Sequence, residues 1–568
     1  MEDEDRRTPA PDDAPAPDDT PNDLASFTPH APIRNMPTPP PPDPDRERFV
    51  NAVFDRAESW AEAQIARDFA LEARLERELE ASTPAPASPE DPDEAIINLT
   101  DTGNMRRLVR RYGENMRYCA PWASWMLWDG VRWVRDVYGV VTRAAIKTAL
   151  AIRKEAHEVT ADPGAGAAAG DDKDAAKERK AIVAWSLKSE SAPRVNAMVE
   201  LAKSHRRVGV LPQAFDRDPL RINFPNGTYC LRIGGLLAHD RRFMLTKLAG
   251  AAYDPCERAP RWEQFLNEIM CGNAELVEFL QRAAGYSLLG DTSEHVLFVL
   301  HGSGANGKSV FLETLRHVLG DYAGATPFET FLENNTPRGA GTPNPSLAAL
   351  AGLRFVVASE VNEGRRLDEA AVKSITGGDK IKCRDLYEKE FSYTPAFKLW
   401  LACNHKPSIK GTDEGIWRRL RLIPFEARFD GIAHPKDPKL LEKLKEEAPG
   451  ILAWLIRGAL AWRKQGLNPP KAVLAATGDY RAESDALGTF FEECCEAHPN
   501  DTNFRIRASA LFEAYQKWSK AREERPLSAT AFGLRVKERG FQVDPGTSHR
   551  RWYLGIALRS VASVSDFG

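Results

Sequence analysis

The chain has 568 residues, 42% of them hydrophobic and 28% charged, with a formal net charge of −4. That composition suits three or four soluble domains and excludes a globally basic nucleic-acid binder, while leaving local basic patches open. No stretch approaches the ~18 continuous apolar residues of a membrane helix, and the acidic N-terminus is not a signal peptide; the eight cysteines form no CxxC pair, so they read as reduced, mostly buried thiols of a cytoplasmic protein with no membrane partner.

Residues 1–45 are rich in Pro, Asp and Ala and read as a disordered acidic tail, since they hold too little apolar surface to offset the entropy of ordering. Residues 46–95 read as a long amphipathic helix to about Glu80, then a Pro/Ser-rich linker. Residues 96–260 form an expected α+β accessory domain. Its Trp128-Asp129-Gly130 predicts strand, turn, strand, and Asn226-Gly227 predicts a second hairpin. The tryptophans at 122, 125, 128 and 133 read as core rather than as a base-stacking platform. Residues 161–175, all Gly, Ala and Asp with few exceptions, predict a flexible insertion.

Residues 261–430 carry the chemistry. An apolar strand, His295–His301, runs into Gly302-Ser303-Gly304-Ala305-Asn306-Gly307-Lys308-Ser309, and a helical pattern follows to Leu319. This is G-x-x-x-x-G-K-S between strand and helix, which binds a nucleoside triphosphate with magnesium. Backbone N–H groups curl around phosphate oxygens, Lys308 faces the β- and γ-phosphates, Ser309 ligates the metal, and the helix N-terminus adds partial positive charge. A second apolar strand, Leu353–Ser359, ends in Glu360, placed to hold magnesium or to polarise the attacking water. A third, Phe397–Cys403, ends in Asn404, an amide able to orient that water. Between them, residues 381–397 predict a hairpin turning near 387–389 that projects Lys382, Arg384 and Lys389, with Lys373 just upstream. The paired Arg418 and Arg419 are candidates to reach a neighbouring subunit's γ-phosphate.

Residues 431–500 predict a helical connector, broken at Asn468-Pro469-Pro470. In residues 501–568 a helix (508–522), a second helix capped by Ser528, and two strands (541–543 and 550–556) give a winged-helix order. Arg535, Lys537, Arg539, Arg550 and Arg551 would face a phosphate backbone.

Taken together, residues 302–309, 354–360, 363–369, 373–379, 398–407 and 415–425 resemble the superfamily 3 helicases. The likeness is to the phage and plasmid primase–helicase branch, related to the poxvirus helicase–primase. Upstream, residues 99–113, 125–133, 222–232, 246–255 and 280–295 are similar to that branch's accessory segments. The resemblance covers about Asn98 to Phe425. It implies a multidomain α/β chain with an AAA+-like ATPase core that assembles as a ring, a hexamer, with ATP and Mg2+ between subunits. In it Lys308, Ser309 and Glu360 would serve the nucleotide, Asn404 would act as sensor, and Arg418 or Arg419 as arginine finger. Lys373 and the hairpin cations would face single-stranded or forked DNA or the subunit interface. The chain departs from the family in carrying Ser359-Glu360 where many members have two adjacent acids, so Glu360 carries both roles or Glu363 contributes. The residues before Asn98 are also too few for a primase domain, so priming in cis is not expected; a separately encoded primase or polymerase is a candidate partner. The leading expectation is an ATP-driven DNA helicase of a phage or other mobile element. The alternatives are an origin-binding initiator that uses ATP as an assembly switch, and a nucleotide-dependent regulatory or defence ATPase.

Overall fold

The computed structural model describes residues 64, 66–81, 97–159, 171–333, 344–359, 365–384, 390–409, 414–429, 436–497, 504–522, 526–544 and 551–559. The acidic tail, the linker at 82–96, Glu360, Glu363, Lys389 and Arg550 lie outside them. The chain divides into two compact units, Met1–Phe69 and Ala70–Gly568. In the first, residues 66–69 are helical and Phe69 is exposed. The second unit holds all the layers of the fold.

Its first layer is α1 (70–80), α2 (Asp101–Tyr112), β1 (Met116–Cys119), β2 (Ser124–Trp128), β3 (Trp133–Arg135), α3 (Val140–Glu158), α4 (Asp171–Ser189), α5 (Ala192–Ala202) and β4 (Gly209–Val210). The strands form one sheet in the order β3-β2-β1-β4. Asp129 makes the turn after β2 by accepting from the N–H groups of Val131 and Arg132. One sheet face packs on helices through Leu108, Met116, Leu127, Ala145 and Met198. The other buries Cys119, Met126, Trp128, Trp133 and Phe215. Trp133 and Trp128 are therefore core, while Trp122 and Trp125 are half-buried. Residues 171–175, expected in a flexible insertion, instead open α4. Their Ala/Asp composition is compatible with a helix once α3 supplies a surface for Ile182.

A meander follows, β5 (Arg221–Phe224), β6 (Gly227–Cys230) and β7 (Gly235–Leu237). Its Ile222, Phe224, Tyr229 and Leu231 join the core of the next layer, while Asn223 donates to Val131 O at the β2–β3 turn.

Next come α6 (Pro260–Ile269), α7 (Ala274–Tyr286), β8 (Leu297–His301), α8 (Lys308–Leu319), β9 (Ala323–Pro327), α9 (Pro345–Ala348), β10 (Phe355–Ser359) and α10 (Glu369–Gly377). They are followed by β11 (Ile381–Cys383), β12 (Phe391–Tyr393), β13 (Lys398–Cys403), α11 (Glu414–Trp417) and β14 (Leu420–Pro424). β8, β9, β10, β13 and β14 make a parallel sheet in the order β14-β8-β13-β10-β9. Side chains alternate along each strand, so the sheet builds two cores. Phe298, Leu300, Phe355, Val357, Trp400 and Ile423 meet α6, α7, α8 and the later helices α12 (Leu440–Glu446) and α13 (Ala448–Gln465). Leu297, Val299, Val356, Leu399, Leu401 and Leu422 meet α10, α11 and Tyr480 of α14 (Lys471–Glu483). Side chains cap the helices that frame the sheet: Asn273 accepts from Leu276 N–H, and Asp368 from Ala371 N–H. On the second face Ile381 of β11 and the half-buried Tyr393 of β12 anchor this antiparallel pair in the core.

Two buried basic side chains sit at the opposite end of the sheet from the glycine loop at 302–307. Lys398, which opens β13, donates to the carbonyls of Leu289, Asp291 and Ala396, and Arg354 donates to Leu288 O. They hold the carbonyl end of α7 under the sheet.

The last layer has its own core of Leu487, Phe490, Phe491, Leu511, Tyr515, Phe532, Val536 and Tyr553. It comprises α15 (Ala486–Cys494), β15 (Cys495–Ala497), β16 (Arg505–Arg507), α16 (Ala508–Ala521), α17 (Ala529–Glu538), β17 (Val543–Asp544), β18 (Trp552–Leu554) and β19 (Ile556–Leu558). The small sheet has the order β16-β18-β17, with α16 and α17 between β16 and β17, the succession expected above for a winged helix. Residues 486–497, expected in the connector, belong to this layer, because β15 pairs with β19 and α15 fills its core. Among the described residues no helix is long and apolar enough to cross a membrane.

Candidate functional site

The register of the parallel sheet brings three strand ends to one level. His301 is paired with Cys403 on one side and Pro424 on the other, so residues 302–307, Asn404 and Phe425 share one edge. The chain leaves β8 towards the β9 edge and leaves its neighbour β13 towards the β14 edge, and ligands of open α/β sheets bind outside the carboxyl ends at such a point.

The loop hugs its surroundings. A Cβ on Gly302 would stand 2.2 Å from the Phe425 carbonyl oxygen, so only glycine fits there. Gly307 has φ +86, and a Cβ on it would meet Ile269 at 2.5 Å. Asn306 is buried and donates through Nδ2 to Phe425 O at 3.2 Å, while Phe429 N–H donates to Ala305 O at 2.8 Å. The strand end after β14 therefore clamps the loop from one side. Ser303, Ala305 and Ser309 are exposed, and Ser309 sits in the first turn of α8, whose free N–H groups and dipole favour an anion.

Lys308 is buried and donates through Nζ to Gly302 O at 2.7 Å, Asn306 Oδ1 at 3.1 Å and Asn404 Oδ1 at 3.1 Å. The loop lysine and the amide at the end of β13 thus touch directly. Burial lowers the Lys308 pKa from its usual value, and it pushes the thiol of the neighbouring Cys403 up to about 12. His301 is lowered too, by burial first and then by the charges of Lys406 and Lys308. Desolvation thus disfavours the charged forms of Lys308 and His301 here, a cost that a polyanionic ligand beside them would offset.

Ser359, the last residue of β10, pairs with Ala402, two residues before Asn404. Glu360 follows it outside the described residues. Lys373 lies on α10, 3.9 Å from Glu369. Lys382 is exposed on β11; Arg384, just beyond it, is half-buried. The two arginines of the pair differ. Arg419 donates through Nε to Thr376 Oγ1 at 3.0 Å and also donates to Gly415 O. Arg418 is exposed, and its guanidinium has no hydrogen bond or ion pair among the described residues.

The structure adds groups that the sequence pattern does not single out. Lys406, two residues beyond Asn404, pairs with Glu483 of α14 at 2.7 Å. Tyr480 of the same helix donates to Pro407 O, and its Thr477 accepts from Leu422 N–H of β14 at 3.0 Å. Only Ser484 separates α14 from Asp485, which caps α15 by accepting from Gly488 N–H and pairs with Arg539 beyond α17. Arg539 is thereby tied to protein and withdrawn from the basic face expected of it. Of the other C-terminal cations, Lys537 and Arg551 are exposed and Arg535 is half-buried. These belong to the winged layer and not to the loop site.

A family model described as "D5 N terminal like" matches residues 105–271, and one described as "Family of unknown function (DUF5906)" matches residues 300–419. The chain is 32% identical over 261 residues to "Putative helicase L207/L206" of Acanthamoeba polyphaga mimivirus, covering 43% of this chain and 27% of that protein. It is 31% identical over 262 residues to "Putative helicase 022R" of Frog virus 3 (isolate Goorha), covering 43% and 26%. It is 23% identical over 330 residues to "Putative primase C962R" of African swine fever virus (isolate Tick/Malawi/Lil 20-1/1983), covering 54% and 34%. The chain thus spans about a third or less of the length of these curated relatives. The D5-type and DUF5906 models fall in order along the chain and, with these relatives, support a viral primase–helicase family for it.

Proposed function

We propose that the chain is an ATP-dependent DNA helicase that works as a ring in the replication of a virus or mobile element. The observation that carries this is the contact of Lys308 Nζ with both Gly302 O and Asn404 Oδ1, in a glycine loop at the head of α8. Gly302 to Ser309 would hold the triphosphate, with Ser309 and Glu360 holding Mg2+. The metal, when bound, neutralises charge on the β- and γ-phosphates. Lys308 would exchange its acceptors within the protein for phosphate oxygens. Asn404, released from Lys308, would then orient the attacking water through its amide. Arg418, exposed one residue before the tied Arg419, is the better finger to complete a neighbour's site, and this supports a ring, a hexamer in the family pattern. Lys373, Lys382, Arg384 and Lys389 would line the path of single-stranded DNA.

Strand displacement on a forked substrate tests the reading. Lys308→Ala and Glu360→Gln should abolish both ATP hydrolysis and unwinding, and unwinding that survives Lys308→Ala would refute it. The winged layer favours a second reading, an origin-binding initiator in which ATP controls assembly. That reading expects sequence-specific duplex binding that vanishes when Arg535 and Lys537 are replaced, with hydrolysis retained and no unwinding.

A further inference from the structure

The winged layer exposes two surfaces that could meet DNA, and they differ in charge. α17 presents Thr530, Leu534 and Lys537 to solvent, with Leu534 59% exposed. Arg535 is half-buried and Arg539 is tied to Asp485, so this helix offers one fully exposed cation. The sheet is different. Ile506, Tyr553 and Val543 point into the core, which leaves Arg505, Arg507 and Trp552 on the outer face. Arg507 and Trp552 are register partners, and Arg505 lies opposite Leu554 on the same face. The Arg505 guanidinium stands 5.3 Å from the centre of the Trp552 ring and that of Arg507 5.4 Å. Both arginines are exposed, as is Arg551. Among the described residues neither Arg505 nor Arg507 pairs with a carboxylate; Asp544, opposite Trp552, is the acid on this face.

A guanidinium held over an indole keeps its in-plane N–H groups available while losing much of its freedom to swing. Two of them over one ring make a fixed pair of forks for neighbouring anionic oxygens. We propose that the outer face of this sheet, with Arg505 and Arg507 set on Trp552, is a clamp for the phosphodiester backbone of DNA. It is a site separate from α17. The inference rests on the reading that the chain works on DNA, and it changes which surface of the winged layer does the gripping. Trp552 acts as the platform.

The test uses the full chain without nucleotide, and follows binding of a labelled single strand and a labelled duplex by fluorescence anisotropy across a salt series. Arg505→Ala/Arg507→Ala should weaken binding about tenfold or more at fixed salt and lower the slope of log affinity against log salt by about two, one for each lost phosphate contact. A loss confined to one arm assigns the clamp to that form of DNA. Arg522→Ala, which removes a cation paired with Glu493 in the same layer, should leave affinity and slope unchanged. Unchanged affinity and slope in both arms for the double variant, or an equal loss for Arg522→Ala, would overturn the proposal. Basal ATP hydrolysis should be unaffected by the double variant. Failure of the motor reading is visible separately, as unwinding that survives Lys308→Ala.

Discussion

Replacing Asn404 by Asp is a near-isosteric change that puts a carboxylate where an amide oxygen now lies 3.1 Å from Lys308 Nζ. A neutral acceptor contributes about 1 kcal/mol net, and a charged one about 1.5–3 kcal/mol. The nucleotide-free form, in which Lys308 is held, should therefore be stabilised by about 1–2 kcal/mol. Binding a triphosphate requires Lys308 to turn towards phosphate, so the same increment appears as lost affinity. That is roughly 5- to 30-fold. Repulsion between the new carboxylate and the phosphates has the same sign and adds to it. Titration with a fluorescent ATP analogue, paired with a thermal melt of the nucleotide-free protein, reads both consequences. N404D should melt higher and bind more weakly. An affinity within about twofold of the parent, with an unshifted melt, would refute the view that Lys308 is parked on Asn404 and must leave it.

Other changes test the scaffold and the finger. On α13, a Cβ at Gly458 would stand 2.0 Å from the Gln281 carbonyl oxygen, so Gly458→Ala must push the backbones of α13 and α7 away from each other. Overpacking of about 1–3 kcal/mol outweighs the ~1 kcal/mol that alanine gains in helix propensity, and denaturant melts should show a net loss. Gly478→Ala, whose Cβ would meet nothing within 4 Å, should have the opposite sign. Burial, helped by the charge of Arg354, holds the Lys398 pKa well below its usual value. The unfolded chain then binds more protons than the folded one below the usual lysine range, so the parent should gain stability over Lys398→Met as pH rises towards that range; parallel stability curves in urea would count against it. Arg418→Ala should abolish hydrolysis while leaving nucleotide binding and the melt intact. Arg419→Ala should lower the melt, because Thr376 and Gly415 lose their donor.

What could be read from the sequence was what is local. The strand, glycine loop and helix at residues 295–319 appear where the pattern puts them, as do the turns at Asp129-Gly130 and Asn226-Gly227. These depend on neighbours within a few residues. The misread stretches depend on distant partners. Residues 171–175 look flexible until α3 is beside α4. Nothing near Cys495 announces that it will pair with Leu558 and close the winged core. Arginines are the clearest case: Arg418 and Arg419 are indistinguishable in sequence, and Thr376 decides between them. Asp485 likewise decides the role of Arg539, and no pattern around either residue signals the pair.

α14 has a mechanical consequence. It is bonded to both strands that flank the glycine loop, through Leu422 N–H on β14 and through Pro407 O and Lys406 just beyond β13. The chain then runs straight into the winged layer. Two residues, Ser484 and Asp485, make that join, and Asp485 is itself paired with Arg539 of the layer. Any displacement of the strand ends against α14 must break those bonds or carry the Arg505–Arg507 face with it, so the C-terminal layer is geared to the loop and not tethered to it.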